Sequence, residues 1–255
     1  MRNRTLGSIV VLVAGVAVLV YAPSLFGQTG ESRAVQTSGP GGHPVDLSGV
    51  WAGRYSRTWN GDQPVPMTAW GKERHEATSQ IVDGALVRKD ETDPWLNQCA
   101  PAGYPRILQI GTTPFEFIQI PGRVMQIFEH DHWVRQIWMD GRELPEDPAP
   151  TWMGHSVGRW DGDTLVVDTV GFNDKTWLDQ VAHPHSEKLH LVDRWRRVEP
   201  EVLEVQFTFE DPEAYTKPWT GKRQFNLKKD WEIQEEVFCE YRGVLNSPDY
   251  IPFVQ

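Results

Sequence analysis

The sequence lacks the motifs of several common enzyme classes. It contains no glycine-rich phosphate loop and no dinucleotide-binding fingerprint. Residues 154–158, GHSVG, match the Gly-x-Ser-x-Gly pattern by letter, but Ser156 falls in a predicted β-hairpin and lacks the strand-to-helix setting that a hydrolase nucleophile requires. Neither of the two cysteines has a histidine close to it in the sequence, so a thiol nucleophile is unsupported.

Basic residues are also in the minority. Lys and Arg number 25 against 35 Asp and Glu, which gives a formal net charge of −10. An acidic domain disfavours DNA or RNA as a partner, because phosphate binding needs a basic face. We therefore expect no nucleic acid among its partners.

Charged residues are absent from Leu6 to Val20, and this apolar run follows a basic start formed by Arg2 and Arg4. The pattern predicts a secretory signal peptide or an N-terminal membrane anchor over residues 1–27. The polar, glycine-containing residues 28–44 then predict a flexible linker. We expect a periplasmic or secreted protein, either free or tethered to the inner membrane by this segment, which would be its only membrane contact.

The two cysteines are Cys99 and Cys239. In an oxidising compartment such a pair predicts one disulfide bond. Two free thiols are the alternative.

Residues 45–255 predict a single all-β domain. Alternating apolar and polar residues and regularly spaced turns indicate about nine or ten antiparallel strands, with one short helix over residues 64–76 that Thr68 can cap. No alternation of strands with helices is present, so the expected fold is a lipocalin/calycin-like up-and-down barrel or a strongly curved meander sheet. The strands are predicted over residues 46–56, 115–120, 123–131, 132–140, 154–170 (a hairpin), 188–198, 201–211, 221–230 and 232–242.

Two resemblances support this fold. Ser48–Gly49–Val50–Trp51 resembles the Gly-x-Trp opening of lipocalin-type barrels, which implies a barrel that binds ligands inside it. The blocks DLSGVW, TWMGHSVGRWDGDTLVVDT and DPEAYTKPW resemble a family of secreted bacterial proteins of unassigned function, over most of residues 46–240. The second resemblance implies secretion but no particular reaction.

The hairpin over residues 154–170 suggests an acid–base pair. Asp161–Gly162 is a dipeptide typical of two-residue turns, and a turn there places His155 directly opposite Asp168. A histidine oriented by an aspartate is a plausible general base. A cross-strand structural pair is the alternative interpretation.

A second candidate pair combines His185 with Asp193. Alternation in residues 188–198 places Asp193 and Trp195 on the inner face, among apolar neighbours. A carboxylate there needs a cation or hydrogen-bond donors. Catalysis is one interpretation of Asp193, and a structural ion pair with Arg135 inside the barrel is the other.

The histidines do not predict a metal site. His183-x-His185 resembles part of a cupin-type ligand set, but Pro184 disturbs regular strand pairing and the expected glycine-rich frame is missing. His130 and His132 straddle a turn, so their side chains need not converge. We therefore expect no metal and no cofactor.

Twelve tryptophans favour an aromatic-lined cavity or large core side chains. The first function hypothesis is binding of a small apolar or aromatic molecule inside the barrel, with the loop 171–187 over its open end. One alternative is a cofactor-independent isomerase, lyase or hydrolase that uses one of the His–Asp pairs, and another is a structural envelope protein. The candidate ligand-binding residues are Trp51, Arg135, Trp138, Asn173, Trp177 and Trp195.

Overall fold

A computed structural model describes residues 39–61, 63–110 and 113–236 of the chain. Within these ranges, nine strands close into a β-barrel and two further strands form a separate hairpin, which confirms the all-β barrel. The barrel strands are β1 (Gly49–Gly53), β4 (Phe115–Ile120), β5 (Arg123–Phe128), β6 (Val134–Trp138), β7 (His155–Asp161), β8 (Thr164–Val170), β9 (His190–Glu199), β10 (Val202–Glu210) and β11 (Trp219–Leu227), and the hairpin consists of β2 (Ser79–Val82) and β3 (Ala85–Arg88).

One pair of neighbouring strands is parallel. Strands β4 to β11 follow each other around the ring in chain order, and β1 closes it by pairing with both β11 and β4. A closed ring with an odd number of strands cannot alternate direction throughout, so one pair must run the same way. That pair is β6 and β7, held by the register Ile137↔Ser156 and Trp138↔Val157. The proline-rich residues 139–154 form the crossover that parallel pairing requires.

The barrel interior is packed with aromatic side chains. In β4 the strict alternation of FEFIQI turns Phe115 and Phe117 inward, and both are almost fully buried. Trp195 contacts both rings edge-on, at centroid distances of 5.7 and 5.1 Å. Such rings each remove about 150–250 Å² from water, so this layer supplies much of the hydrophobic stabilisation. The inward aromatic residues of the strands are Trp51, Phe115, Phe117, Phe128, Trp195, Phe207, Phe209, Trp219 and Phe225.

The turn between β7 and β8 differs from the prediction. Asp161 pairs with Thr164, so Gly162 and Asp163 are the two turn residues, not Asp161 and Gly162. Gly162 has a φ of +60°, whereas Asp163 is outside the left-handed region. A turn with positive φ only at its first central residue is of the II′ type, which favours glycine at that position. The register of the hairpin therefore shifts, and Asp168 lies opposite Val157.

A cap covers the end of the barrel where β8 leads to β9 and β10 leads to β11. It consists of helix α1 (Ala69–Thr78), the β2–β3 hairpin and the two connecting loops, residues 171–189 and 211–218. The helix was predicted over 64–76, and Thr68 caps it as expected, accepting the Gly71 N–H at 3.1 Å. Residues 176–186 are buried throughout, because they pack beneath α1 and against the barrel.

The remaining segments are short. Helix α2 (Pro94–Asn97) and 3₁₀ turns at Pro40–Gly42, Asp90–Thr92 and Arg106–Gln109 lie in the connections. The predicted linker 28–44 is described only from residue 39 onward. Within this part, His43 is buried and accepts a hydrogen bond from the Trp160 indole N–H at 3.1 Å. In the described ranges, no helix has both the length and the apolar character needed to cross a bilayer.

Two predictions near the C-terminus have different outcomes. The strand predicted over 232–242 is wrong for residues 232–235, which lie outside any strand, while Glu236 makes a single bridge with His130. Cys239 lies outside the described residues, so the Cys99–Cys239 disulfide stays a prediction. The segment 1–27 lies outside them as well.

Candidate functional site

The predicted site residues occupy four separate places. Trp51, Arg135, Asp193 and Trp195 lie inside the barrel, and Asp168 lies on its outer face. Trp138 and His155 line an outer groove of about 420 Å³ at the parallel seam. Trp177 and His185 line a pocket of about 210 Å³ beside α1, and Asn173 accepts the Lys175 N–H in the loop that leads to it.

Asp193 and Arg135 form a buried ion pair. The guanidinium donates to both carboxylate oxygens at 2.9 Å. Tyr104 and the Trp195 indole also donate to Asp193, at 3.0 and 2.6 Å. Burial lowers the pKa of Arg135, but the adjacent Asp193 carboxylate and Tyr104 together outweigh this effect, so the net shift is upward. With its carboxylate enclosed by four donors, Asp193 fits the structural interpretation rather than the catalytic one.

Both predicted His–Asp pairs are absent. His155 lies opposite Val170, and its Nε2 donates to the Ala149 carbonyl at 2.9 Å. Asp168 points to the outer face and binds His190 at 3.0 Å and Arg159 at 2.5 Å. The pairing was wrong because the turn lies one residue later than expected. 

The second predicted pair fails for a different reason. The His185 Nδ1–H faces the Ser186 carbonyl at 3.3 Å, whereas Asp193 is held by Arg135 inside the barrel. His185 belongs to the cap and Asp193 to the barrel interior, so the two side chains lie in different regions of the protein.

A different Asp–His pair lies in the cap. His183 Nδ1 and Asp179 Oδ2 are 2.5 Å apart, and the other carboxylate oxygen accepts the backbone N–H groups of Val181 and His183 at 3.1 and 3.2 Å. Asp179 is fully buried. These bonds fix the carboxylate, which in turn fixes the tautomer of His183 with its proton on Nδ1. The Nε2 of the neutral ring is then the basic atom.

His75 of α1 stacks on this histidine. The two rings are 5.0 Å apart and inclined by 14°. His75 Nε2 donates to the Val181 carbonyl at 2.9 Å. Burial, followed by the proximity of His183, lowers the pKa of His75. A neutral His75 avoids placing two positive rings face to face.

Both histidines line a pocket of about 490 Å³, here called the cap pocket. Its size falls within the range of small-molecule sites. Apolar side chains from the β2–β3 hairpin and the segment before α1 supply most of its wall. Its lining residues are Arg57, Thr58, Gln63, Pro64, Val65, Met67, His75, Ile81, Gly84, Ala85, Leu86 and His183.

Sequence reasoning placed the loop 171–187, which contains Asp179 and His183, over the open end of the barrel but did not pair these two residues. Their spacing of four residues was the available signal, since a tight loop can return the histidine to the aspartate. His75 was missed, because it is far from both in the sequence and meets them only through the packing of α1.

In the part of the chain that the structure describes, no group of three or more His, Cys, Asp or Glu side chains is arranged to hold a metal ion. Comparison with protein-family models gave no match, and comparison with curated protein sequences gave none either. Function is therefore inferred from the geometry of the cap pocket.

Proposed function

We propose that this is an exported β-barrel protein that binds a small, partly apolar molecule in its cap pocket. The observation that carries the proposal is a pocket of about 490 Å³ whose apolar wall surrounds two aligned histidine rings. Ligand sites in proteins combine mostly apolar walls with a few fixed polar groups. Val65, Met67 and Leu86 provide the apolar wall, and His75 and His183 provide the polar groups.

The cap pocket suits a ligand better than the barrel interior does. Trp51 and Trp195, which were expected to line an internal cavity, are fully buried and occupied by protein contacts. The Trp51 indole donates to the Leu47 carbonyl at 2.9 Å, and Trp195 packs among phenylalanines. A ligand inside the barrel would have to displace this packed layer, whereas the cap pocket already offers space.

The export part of the proposal rests on the sequence. Arg2 and Arg4 precede the apolar run of the segment 1–27, and the blocks DLSGVW and DPEAYTKPW resemble secreted proteins. A periplasmic or secreted location also suits the proposed disulfide between Cys99 and Cys239. Detection of the mature protein in the periplasmic or culture fraction tests this part.

Acid–base catalysis in the same pocket is the second candidate function, and the Asp179–His183 pair favours it. The Asp179 carboxylate accepts a hydrogen bond from the Nδ1–H of His183, which leaves Nε2 to take a proton from a bound molecule. The aspartate would stabilise the imidazolium that forms. Neutral His75, stacked on the ring, adds no opposing positive charge.

A purely structural envelope role is less well supported. It requires no pocket and no buried carboxylate held against a histidine. The cap pocket and the Asp179–His183 pair therefore favour the two ligand-based functions.

The binding proposal is tested by identifying what the protein carries. The full chain is purified from the cell envelope without added ligand, denatured, and analysed for released small molecules by mass spectrometry. Val65→Trp fills the cap pocket, and Val157→Trp is the matched control in the seam groove. We expect V157W to retain the molecule and V65W to lose it. Retention by V65W, or no released molecule from any form, contradicts the proposal.

The enzymatic candidate is tested with Asp179→Asn. The remaining oxygen can still accept the Val181 and His183 amides, but the new NH₂ group cannot accept the His183 Nδ1 proton. The imidazole then moves its proton to Nε2 and loses its basic atom toward the pocket. If the molecule is converted, D179N should bind it normally and convert it about 10²–10⁴-fold more slowly. Unchanged conversion would exclude this pair as the base.

A further inference from the structure

A second pocket, here called the side pocket, also borders α1. It has a volume of about 210 Å³ and lies between the helix and the loop 171–189. It shares no lining residue with the cap pocket, and the proposed function does not use it. Its walls are formed by Arg74, Ala77, Thr78, Asp174, Thr176, Trp177, Pro184 and His185.

His185 is one of the lining residues, and it has a buried hydrogen-bond acceptor that is not used within the described part of the chain. The side chain is only 1% exposed, and its Nε2 has no hydrogen-bond partner among the residues that the structure describes. The Nδ1 faces the Ser186 carbonyl at 3.3 Å, and a carbonyl can only accept, so Nδ1 carries the proton. Burial lowers the pKa of His185, which keeps the ring neutral. The Nε2 lone pair is therefore buried without a donor, a costly arrangement unless a ligand supplies one.

The hydroxyl groups of the side pocket are acceptors as well. Thr78 donates its hydroxyl proton to the Arg74 carbonyl at 2.8 Å, and Thr176 donates to the Ala102 carbonyl at 2.5 Å. Each hydroxyl has a single proton, so only lone pairs remain for a ligand. A molecule that binds here therefore needs several hydrogen-bond donors.

The pocket wall carries one charge of each sign, the Asp174 carboxylate and the Arg74 guanidinium. Within the described ranges, the only ion-pair partner of Asp174 is Arg74, at 3.6 Å. Both side chains are close to half exposed, so this ion pair is weak and easily exchanged. The whole chain carries a net charge of −10, which attracts cations at long range.

We propose that the side pocket binds a small primary amine in its ammonium form. An ammonium group has three N–H donors and no acceptor, which matches the lone pairs of His185, Thr78 and Thr176. The Asp174 carboxylate supplies the opposite charge, and Trp177 with Pro184 provides an apolar wall for a short alkyl chain. 

Three probes of similar shape test the chemistry on the full-length protein. Propylammonium has three donors and a positive charge, propanol has one donor and no charge, and propionate has only acceptors. With ¹⁵N-labelled histidine, the Nε2 resonance of His185 reports directly on hydrogen bonding to that atom. We expect propylammonium to shift this resonance in a saturable way in the millimolar range, because so few atoms give only weak affinity. Propionate should leave the resonance unchanged.

A variant separates the side pocket from other amine sites. His185→Phe keeps an aromatic ring against Phe172 but removes the lone pair. His190→Phe is the matched control, since His190 lies on the outer face of β9 and outside this pocket. Propylammonium affinity should fall about 10- to 100-fold in H185F, the effect of losing one hydrogen bond to a charged group, and stay unchanged in H190F.

The outcomes are distinguishable even if H185F folds poorly, because the resonance is measured in the unmodified protein. A resonance that propylammonium does not move would overturn the proposal. So would an equal response to propanol, which would show that charge has no role, or a response to propionate, which would require a protonated His185.

Discussion

Arg135 and Asp193 face each other across the interior of the barrel and share two N–H···O bonds of 2.9 Å. The arginine comes from β6 and the aspartate from β9, so the pair ties two non-adjacent strands together. Arg135 also donates to Ser156 on β7 at 3.0 Å and to Thr169 on β8 at 2.7 Å. One side chain thus links four consecutive strands of the ring.

Arg135→Met should strongly destabilise the protein. The variant leaves the Asp193 carboxylate buried with only the Tyr104 and Trp195 donors, and breaking a buried ion pair costs about 3–5 kcal/mol. Urea unfolding measures the loss. Adding Asp193→Leu to the same chain should recover part of it, because no charge is then left buried. A double variant less stable than R135M would contradict this account.

Arg223→Met should have the opposite effect. Arg223 faces the barrel interior on β11. Two of its guanidinium nitrogens, Nε and Nη1, are buried and have no partner in the part of the chain that the structure describes. Burial lowers its pKa to about 10, and no described carboxylate offsets this. Methionine fills similar space without a charge, so the free energy of unfolding should rise by about 1 kcal/mol or more. A loss of stability comparable to that of R135M would show that the Arg223 bond to the Arg54 carbonyl outweighs the buried charge.

Mild acid should weaken the fold through two buried histidines. Burial lowers the pKa of both His75 and His185 below the usual histidine value of 6.5, so near and below that pH the unfolded chain binds protons that the folded chain does not. The contribution of these two histidines to the free energy of unfolding is therefore complete above pH 6.5. It is lost as the pH falls toward their lowered pKa values in the folded state. Urea unfolding between about pH 7 and 5 should show this slope, and it should be shallower in His185→Phe. Equal slopes in the two proteins would show that His185 does not contribute.

Gly162→Ala should destabilise the β7–β8 hairpin through the backbone alone. Gly162 has a φ of +60°, and an added Cβ would meet nothing within 4 Å. The cost should therefore be the strain of a left-handed conformation, about 1–2 kcal/mol. Asp161→Ala, one residue earlier, removes only an exposed ion pair with Arg194 and should cost less than about 1 kcal/mol. Equal losses of stability in the two variants would indicate that Asp161 and Gly162 are the two central residues of the turn.

The strands were predictable because one face of each is buried. In β9 the alternation correctly placed Leu191, Asp193 and Trp195 on the inner face. An ion pair of Asp193 with Arg135 was one of two interpretations that the sequence left open, and the structure contains it. Alternation reports which face a residue occupies but not which residue it meets. The sequence WDGDT permits a two-residue turn at Asp161–Gly162 or at Gly162–Asp163, and choosing the first misplaced every partner across the hairpin by two residues.

The cap was less predictable because it is built from tertiary contacts. The residues of the loop 171–187 were expected at the mouth of the barrel, but their burial depends on α1, whose own position follows from contacts such as Thr68 to the Glu213 carbonyl at 2.6 Å. His75 meets His183 only after these pieces assemble. The parallel seam was missed for a simpler reason, since it follows from the number of strands in the closed ring and from no local pattern.

Strand β1 has a consequence for the timing of folding. Trp51 pairs with Phe115 on one side and with Leu227 on the other, so the first strand of the barrel also completes it. When the chain emerges from its N-terminus, β1 is exposed early. Strand β11 emerges only after nearly all of the rest of the domain. Until then β1 and β10, the two neighbours of β11 in the ring, have open edges that other chains can join. Slower emergence of the C-terminal half should therefore lengthen the period in which nascent chains can aggregate.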